Sequence, residues 1–76
     1  MNQTLKIALA FDKKLKFKGP FLPGFADAIG KDASSVYRWA RDNGGTNGMI
    51  PTCSVPLVLA AAERLGVKIP DEAWVP

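Results

Sequence analysis

Seventy-six residues are enough for one domain and too few for two, so 1–76 reads as a single domain, and a chain this short buries only about 60% of its unfolded surface, which favours locally built helices. One cysteine, Cys53, and no histidine exclude an intrachain disulfide, a zinc site of the usual Cys/His kind and a Ser-His or Cys-His nucleophilic pair. Ten basic against seven acidic side chains, a net charge of +3, is compatible with a phosphate backbone as partner without requiring one.

In chain order, Gln3–Lys14 carries Leu5, Ala8, Leu9 and Asp12 at helical spacing, with Ile7 and Phe11 widening the apolar side and Asn2 or Thr4 as N-cap. This N-terminal apolar run is too short and too soon charged for a secretory signal. No stretch approaches the ~20 apolar residues of a membrane span, so a soluble, cytoplasmic protein is expected. LKFKGPFLPG follows. Its alternation of Leu15 and Phe17 with lysines allows an edge strand, but a lone strand lacks a pairing partner, and Gly19-Pro20 and Pro23-Gly24 favour a connector with Phe21 and Leu22 turned inward.

Pro23 suits a first helical turn, where a missing N–H costs nothing, so a helix is expected over Gly24–Ile29, stopped by Gly30. Asp32 then caps a helix over Ala33–Asp42 by accepting from free backbone amides, and Asn43–Gly45 end it. GGTNG is a loop by composition. Ser54 starts a last long helix with Pro56 in its first turn, Val55, Val58, Leu59, Ala61, Ala62 and Leu65 along it, and Gly66 at its end. Ala60, Ala61, Ala62 and Leu65 are expected in the core. Pro70–Trp74 can form one more turn. There is no repeat, low-complexity run or interdomain linker.

Two short helices joined by a tight turn that opens on glycine define a helix-turn-helix pattern over about residues 22–41. Small Ala26 sits where the second helix must cross closely, beside apolar Phe25 and Ile29. Gly30 supplies the left-handed turn residue, and Val36 and Trp39, three apart, pin the second helix to the first. Lys31 stands where such turns commonly carry an apolar residue; its alkyl stem can cover the core edge while its amine reaches water.

The segment Gly30-Lys31-Asp32-Ala33-Ser34-Ser35-Val36-Tyr37-Arg38-Trp39 resembles the recognition-helix segment of Cro/CI-type phage and prophage regulators. The GGTNGMIP loop and the apolar helix ending in AAAERLG are similar to small regulators of this kind, so the resemblance covers roughly Leu22 to Trp74. It implies an all-α, lambda repressor-like fold of four to five helices. It also implies a sequence-specific regulator of double-stranded DNA, a Cro-like repressor that binds its operator through the recognition helix 33–42 and works near the nucleoid.

With Val36 and Trp39 inward, Ala33, Ser34, Tyr37, Arg38 and Arg41 face outward on such a helix. Ser34, Tyr37, Arg38 and Arg41 are the candidate base contacts, because a guanidinium can bind guanine through two parallel hydrogen bonds, worth ~1–3 kcal/mol of discrimination. Lys31, Ser35, Thr46 and Asn47 are the candidate backbone contacts. Each has a plainer reading: solvated charges near a helix C-terminus for the arginines, partial core packing for Tyr37, local caps for the serines, and a flexible connector for the glycine loop. One recognition helix reads few base pairs, so a homodimer on half-sites ~34 Å apart is expected. The apolar Ile69, Trp74 and Val75 either form its contact or fold back onto their own core.

Other uses of the pattern are an antitoxin, a phage recombination accessory protein, or a helical protein–protein module that reads no DNA. No enzyme is expected: Asp27, Asp32 and Asp42 are scattered, and the chain is too small for a deep cleft. Nothing in the residues calls for a metal, a cofactor or a small-molecule ligand, and Cys53 reads as inert.

Overall fold

The first helix begins where Asn2 turns the chain. In the computed structural model, which describes residues 1–75, the Asn2 side-chain oxygen accepts from the Leu5 amide at 2.9 Å. That bond satisfies a first-turn donor that no helical carbonyl can reach. Helix α1 then runs Gln3–Leu15 and ends as Lys16 takes a left-handed conformation (φ 52°), its N–H on the Asp12 carbonyl. Of the two N-cap candidates Asn2 serves, whereas Thr4 lies inside the helix and is fully buried.

The inward stripe of α1 is Thr4, Ile7, Ala8 and Phe11, not the Leu5–Ala8–Leu9–Asp12 stripe suggested by spacing. Both stripes satisfy helical periodicity because apolar residues run nearly round this helix. Contact with the rest of the core chose between them and left Leu5 and Leu9 half-buried.

Helix α2 spans Phe21–Ile29 and therefore starts three residues earlier than the proline and glycine content suggests. Pro23 still falls in the first turn, where its missing N–H is harmless. Gly24 is there for a neighbour: a Cβ on it would stand 2.5 Å from the Phe17 ring, so the connector folds its one aromatic side chain over the glycine. Phe17 is anchored in turn by its amide, which donates to the Asp12 carboxylate at 3.1 Å. No strand forms among the described residues.

Gly30 closes α2 with φ 76°. The Gly30 N–H bonds the Asp27 carbonyl and the Lys31 N–H bonds the Ala26 carbonyl, the double cap of a Schellman motif. The same device recurs at the end of α4 (Val55–Leu65), where Gly66 has φ 70° and Val67 donates to Ala62. There the residue after the glycine is buried and apolar; after α2 it is the exposed Lys31.

Helix α3 is shorter than expected. It covers Ala33–Trp39, not Ala33–Asp42, and Asp32 occupies the N-cap position through its backbone carbonyl, with no side-chain cap bond. The early stop has a tertiary cause. The Thr4 hydroxyl shares its one proton between the Gly48 carbonyl at 2.9 Å and the Trp39 carbonyl at 3.2 Å, and the Asn2 amide donates to the Ala40 carbonyl at 2.7 Å. Side chains from the first turn of α1 thus satisfy the last carbonyls of α3 and let the chain turn away.

A 3-10 turn, Thr52–Ser54, leads into α4, and a second one, Asp71–Trp74, ends the described chain. Ser54 precedes α4 as expected, but its side chain is buried and makes no cap bond. Ala61 and Ala62 are core residues; Ala60 is exposed, a correction to its expected burial, and Leu65 is partly buried against the core. The centre is an edge-to-face pair, Phe11 of α1 on Phe25 of α2, with ring centroids 5.0 Å apart. Ile7, Val36 and Val58 complete it from α1, α3 and α4 with no exposure.

The Asn2 junction is the seam between α1 and the end of α3. Asn2→Ala removes the α1 cap and the donor to Ala40 together, so an expected loss of about 1–2 kcal/mol is measured by urea denaturation. Asn2→Asp keeps the cap oxygen but turns a second carboxylate oxygen on the Ala40 carbonyl and on the Asp42 carboxylate, both of which the Asn2 amide bonds (2.7 and 3.0 Å), and is expected to recover none of that loss.

Candidate nucleic-acid interface

The candidate interface is built on the contact between α2 and α3. Ala26 is 1% exposed and lets α3 approach closely, while Ile29, Val36 and Trp39 bury the facing surfaces. Gly30 takes the left-handed conformation that the turn requires. Four of the five positions singled out for packing the two helices therefore lie in one core, and the fifth, Gly30, makes the exposed turn between them. The inner face of α3 is immobilised by Val36 and Trp39, which leaves its other face free of the chain's own core.

That outer face carries Ser34, Tyr37 and Arg38, all exposed. Ala33 is partly buried against the core and is not part of it. Ser35 is half-buried, and its hydroxyl accepts from the Arg38 guanidinium at a long 3.4 Å. This i, i+3 contact biases the arginine along the helix without holding it, so the guanidinium keeps most of its donors for another partner. Tyr37 is 42% exposed, so packing on its own core is not its main role.

Arg41 is exposed but lies two residues beyond α3. Its expected place on the recognition helix is corrected: Arg41 belongs to the turn that leaves the helix, where its N–H bonds the Arg38 carbonyl. Lys31, in the α2–α3 turn, is exposed.

The loop after α3 is tightly packed, unlike the flexible connector weighed from composition. A Cβ on Gly44 would stand 2.9 Å from the Arg38 carbonyl oxygen, and one on Gly48 would stand 2.6 Å from the Asn2 Cβ. Gly48 and Asn47 both have positive φ, 80° and 51°. The Gly48 carbonyl accepts from both the amide and the hydroxyl of Thr4, each at 2.9 Å, and Gln3 accepts from the Ile50 amide at 2.8 Å. Asn2 at the N-cap of α1 and Gln3 and Thr4 in its first turn therefore hold the loop against the end of α3. By spacing, Asn2 and Thr4 read only as N-cap candidates and Gly44 and Gly48 only as loop residues; that they support the site together with Gln3 is not legible there.

Arg38, Trp39, Gly45 and Thr46 line a hollow of about 270 Å³ between the last turn of α3 and this loop. Asn47 is exposed on the loop. The Thr46 hydroxyl, expected to reach a phosphate, is instead buried without a hydrogen-bond partner, because the loop turns it inward; it is not presented to solvent.

In the C-terminal segment, Ile69 and Trp74 are partly buried and pack on the chain's own core, whereas Val75 is 59% exposed. Further apolar surface stands on α4, where Leu57 is 41% and Leu59 51% exposed. No helix among the described residues is long and apolar enough to cross a membrane. Compared with protein-family models, curated proteins and solved structures, the chain finds no significant match.

Proposed function

We propose that the chain is a helix-turn-helix protein that reads double-stranded DNA in sequence-specific fashion, a regulator of the Cro/CI, lambda repressor-like type acting as a phage or prophage repressor. The observation that carries this reading is the two-sidedness of α3. Val36 and Trp39 bind one face to α2, and Ser34, Tyr37 and Arg38 stand together on the other, exposed and uncommitted. A short rigid helix with one guanidinium, one hydroxyl and one phenol on its free face has the side-chain chemistry that reads base edges in a major groove. Lys31 and Arg41 stand at either end of the helix, and in this reading both contact phosphates, which sets register without conveying sequence.

Two copies on one operator would double the length of DNA read, and Leu57, Leu59 and Val75 are among the exposed apolar side chains that could join them. Sedimentation of the protein with and without operator DNA tests that pairing.

Selection of bound sequences from a random duplex pool at ~150 mM salt, where the non-specific phosphate contribution is suppressed, tests the reading directly. Enrichment of a half-site, single or repeated about one helical turn apart, is the expected result. Weak salt-sensitive binding with no enrichment would turn the case toward the protein-partner readings. On the selected site, Arg38→Ala is expected to weaken binding roughly 10- to 100-fold and to relax preference at one base pair. Lys31→Ala is expected to weaken all sequences about equally and to flatten the salt dependence.

A further inference from the structure

Two adjoining hollows run along the outer side of α1 against the C-terminal segment. One, of about 340 Å³, has Leu9, Ala10, Pro70 and Ala73 among its lining, with Lys13 and Lys68 at its edge. The other, of about 410 Å³, shares Ala10, Lys13 and Lys68 and continues between Lys14 and Gly66. No residue of α2, α3 or the loop after α3 lines either one.

The walls of this trough are tied together. The Lys6 ammonium donates to the Val75 carbonyl at 2.6 Å and to the Glu72 carbonyl at 3.3 Å, and the Gln3 amide donates to the Trp74 carbonyl at 2.7 Å. The C-terminal segment is thereby clamped on α1, and a concave surface is held open between them. Lys13, Lys14 and Lys68 are exposed, and Glu72 is the single acidic side chain lining either hollow. An apolar floor with three ammonium groups at its rim is therefore matched by one carboxylate.

We propose that this trough docks an acidic amphipathic segment of a partner protein. The segment lies as a helix, its apolar side chains on Leu9, Ala10 and Pro70 and its carboxylates toward Lys13, Lys14 and Lys68. Charge complementarity selects an anionic partner, and the apolar floor selects a peptide over a nucleic acid. A phosphate backbone gains nothing from Leu9 and Pro70, whereas helix-in-groove recognition is built on apolar anchors at i, i+3, i+4 and i+7. The proposal does not rest on DNA reading, because the trough and the outer face of α3 share no residue.

The probe is a fluorescein-labelled helical peptide of about 18 residues, with leucine at i, i+3, i+4 and i+7 spacing and glutamate on the flanks, titrated with the full chain by fluorescence anisotropy. Saturable binding with Kd of about 100 µM or tighter, weakened by added salt, is expected. K13E/K68E is expected to weaken it roughly tenfold or more, and a peptide with serine in place of leucine to weaken it by a similar factor. R38A is expected to leave it unchanged.

Both lysines are exposed, so the double variant should keep the parent's circular dichroism spectrum, which checks that the loss is local. The proposal is overturned by a lack of saturable binding, by equal affinity for K13E/K68E, or by undiminished binding of the serine peptide. Displacement of the peptide by a short DNA duplex from both the parent and R38A would also overturn it, by assigning the lysines to phosphate.

Discussion

Phe11→Ala is expected to cost about 3–5 kcal/mol, as much as much of the stability a chain of this length has, roughly 4–11 kcal/mol at 0.05–0.15 kcal/mol per residue. Phe11 is fully buried and its ring stands edge-on to Phe25 at 5.0 Å between centroids, so truncation removes transfer energy and an aromatic contact and leaves a cavity at the α1–α2 junction. A core of this size has few other large side chains to collapse into the space. Guanidinium denaturation followed by circular dichroism measures the loss. Phe11→Leu keeps most of the volume and should cost well under half as much. A Phe11→Ala variant as stable as the parent would mean that α1 does not pack on α2 as described.

Gly48→Ala has the second largest expected effect, about 2–4 kcal/mol, from two additive causes. The backbone there is left-handed (φ 80°), which disfavours any residue with a Cβ. The new Cβ would also stand 2.6 Å from the Asn2 Cβ, an overlap that requires the backbone to move. Relief can only come by pushing Asn2 off the Ala40 carbonyl or the loop off Thr4, and either one uncaps the end of α3. The variant should therefore lose both stability and definition of α3, whereas Gly45→Ala, with nothing within 4 Å of its Cβ, should be close to neutral. Denaturation of the two variants side by side, with hydrogen exchange at the Trp39 and Ala40 amides, separates loop strain from a general loss of stability. Equal stabilities for the two variants would sink the account of Gly48.

The parts that could be read from residues are those set by contacts three or four positions apart. Asn2 as N-cap, Gly30 and Gly66 as left-handed stops, the extent of α1 and α4, and the burial of Ala26, Ile29, Val36 and Trp39 all follow from caps and helical spacing. The start of α2 was hidden by Gly19-Pro20 and Pro23-Gly24, which read as breakers even though Pro23 suits a first helical turn. In place, Pro23 occupies a first turn and Gly24 accommodates the Phe17 ring, a contact seven residues away that no local rule contains. For the candidate interface, exposure of Ser34, Tyr37 and Arg38 was legible from the spacing of Val36 and Trp39 around the helix. The displacement of Arg41 beyond α3 and the inward turn of the Thr46 hydroxyl were not.

The four main helices, the glycine stops at Gly30 and Gly66 and the one face by which α3 is held follow from the residues alone, because these depend on backbone propensities and on periodicities within single elements. Which stripe of α1 is inward, where α3 ends and what shape the glycine loop takes were set by packing between elements. The stripe depends on which side the core of the other helices covers, and the end of α3 and the loop depend on Asn2, Gln3 and Thr4 meeting carbonyls and amides some 35 to 47 positions away. A buried or capping polar group is satisfied by whatever the fold brings within about 3 Å, and sequence spacing carries no record of which group that will be.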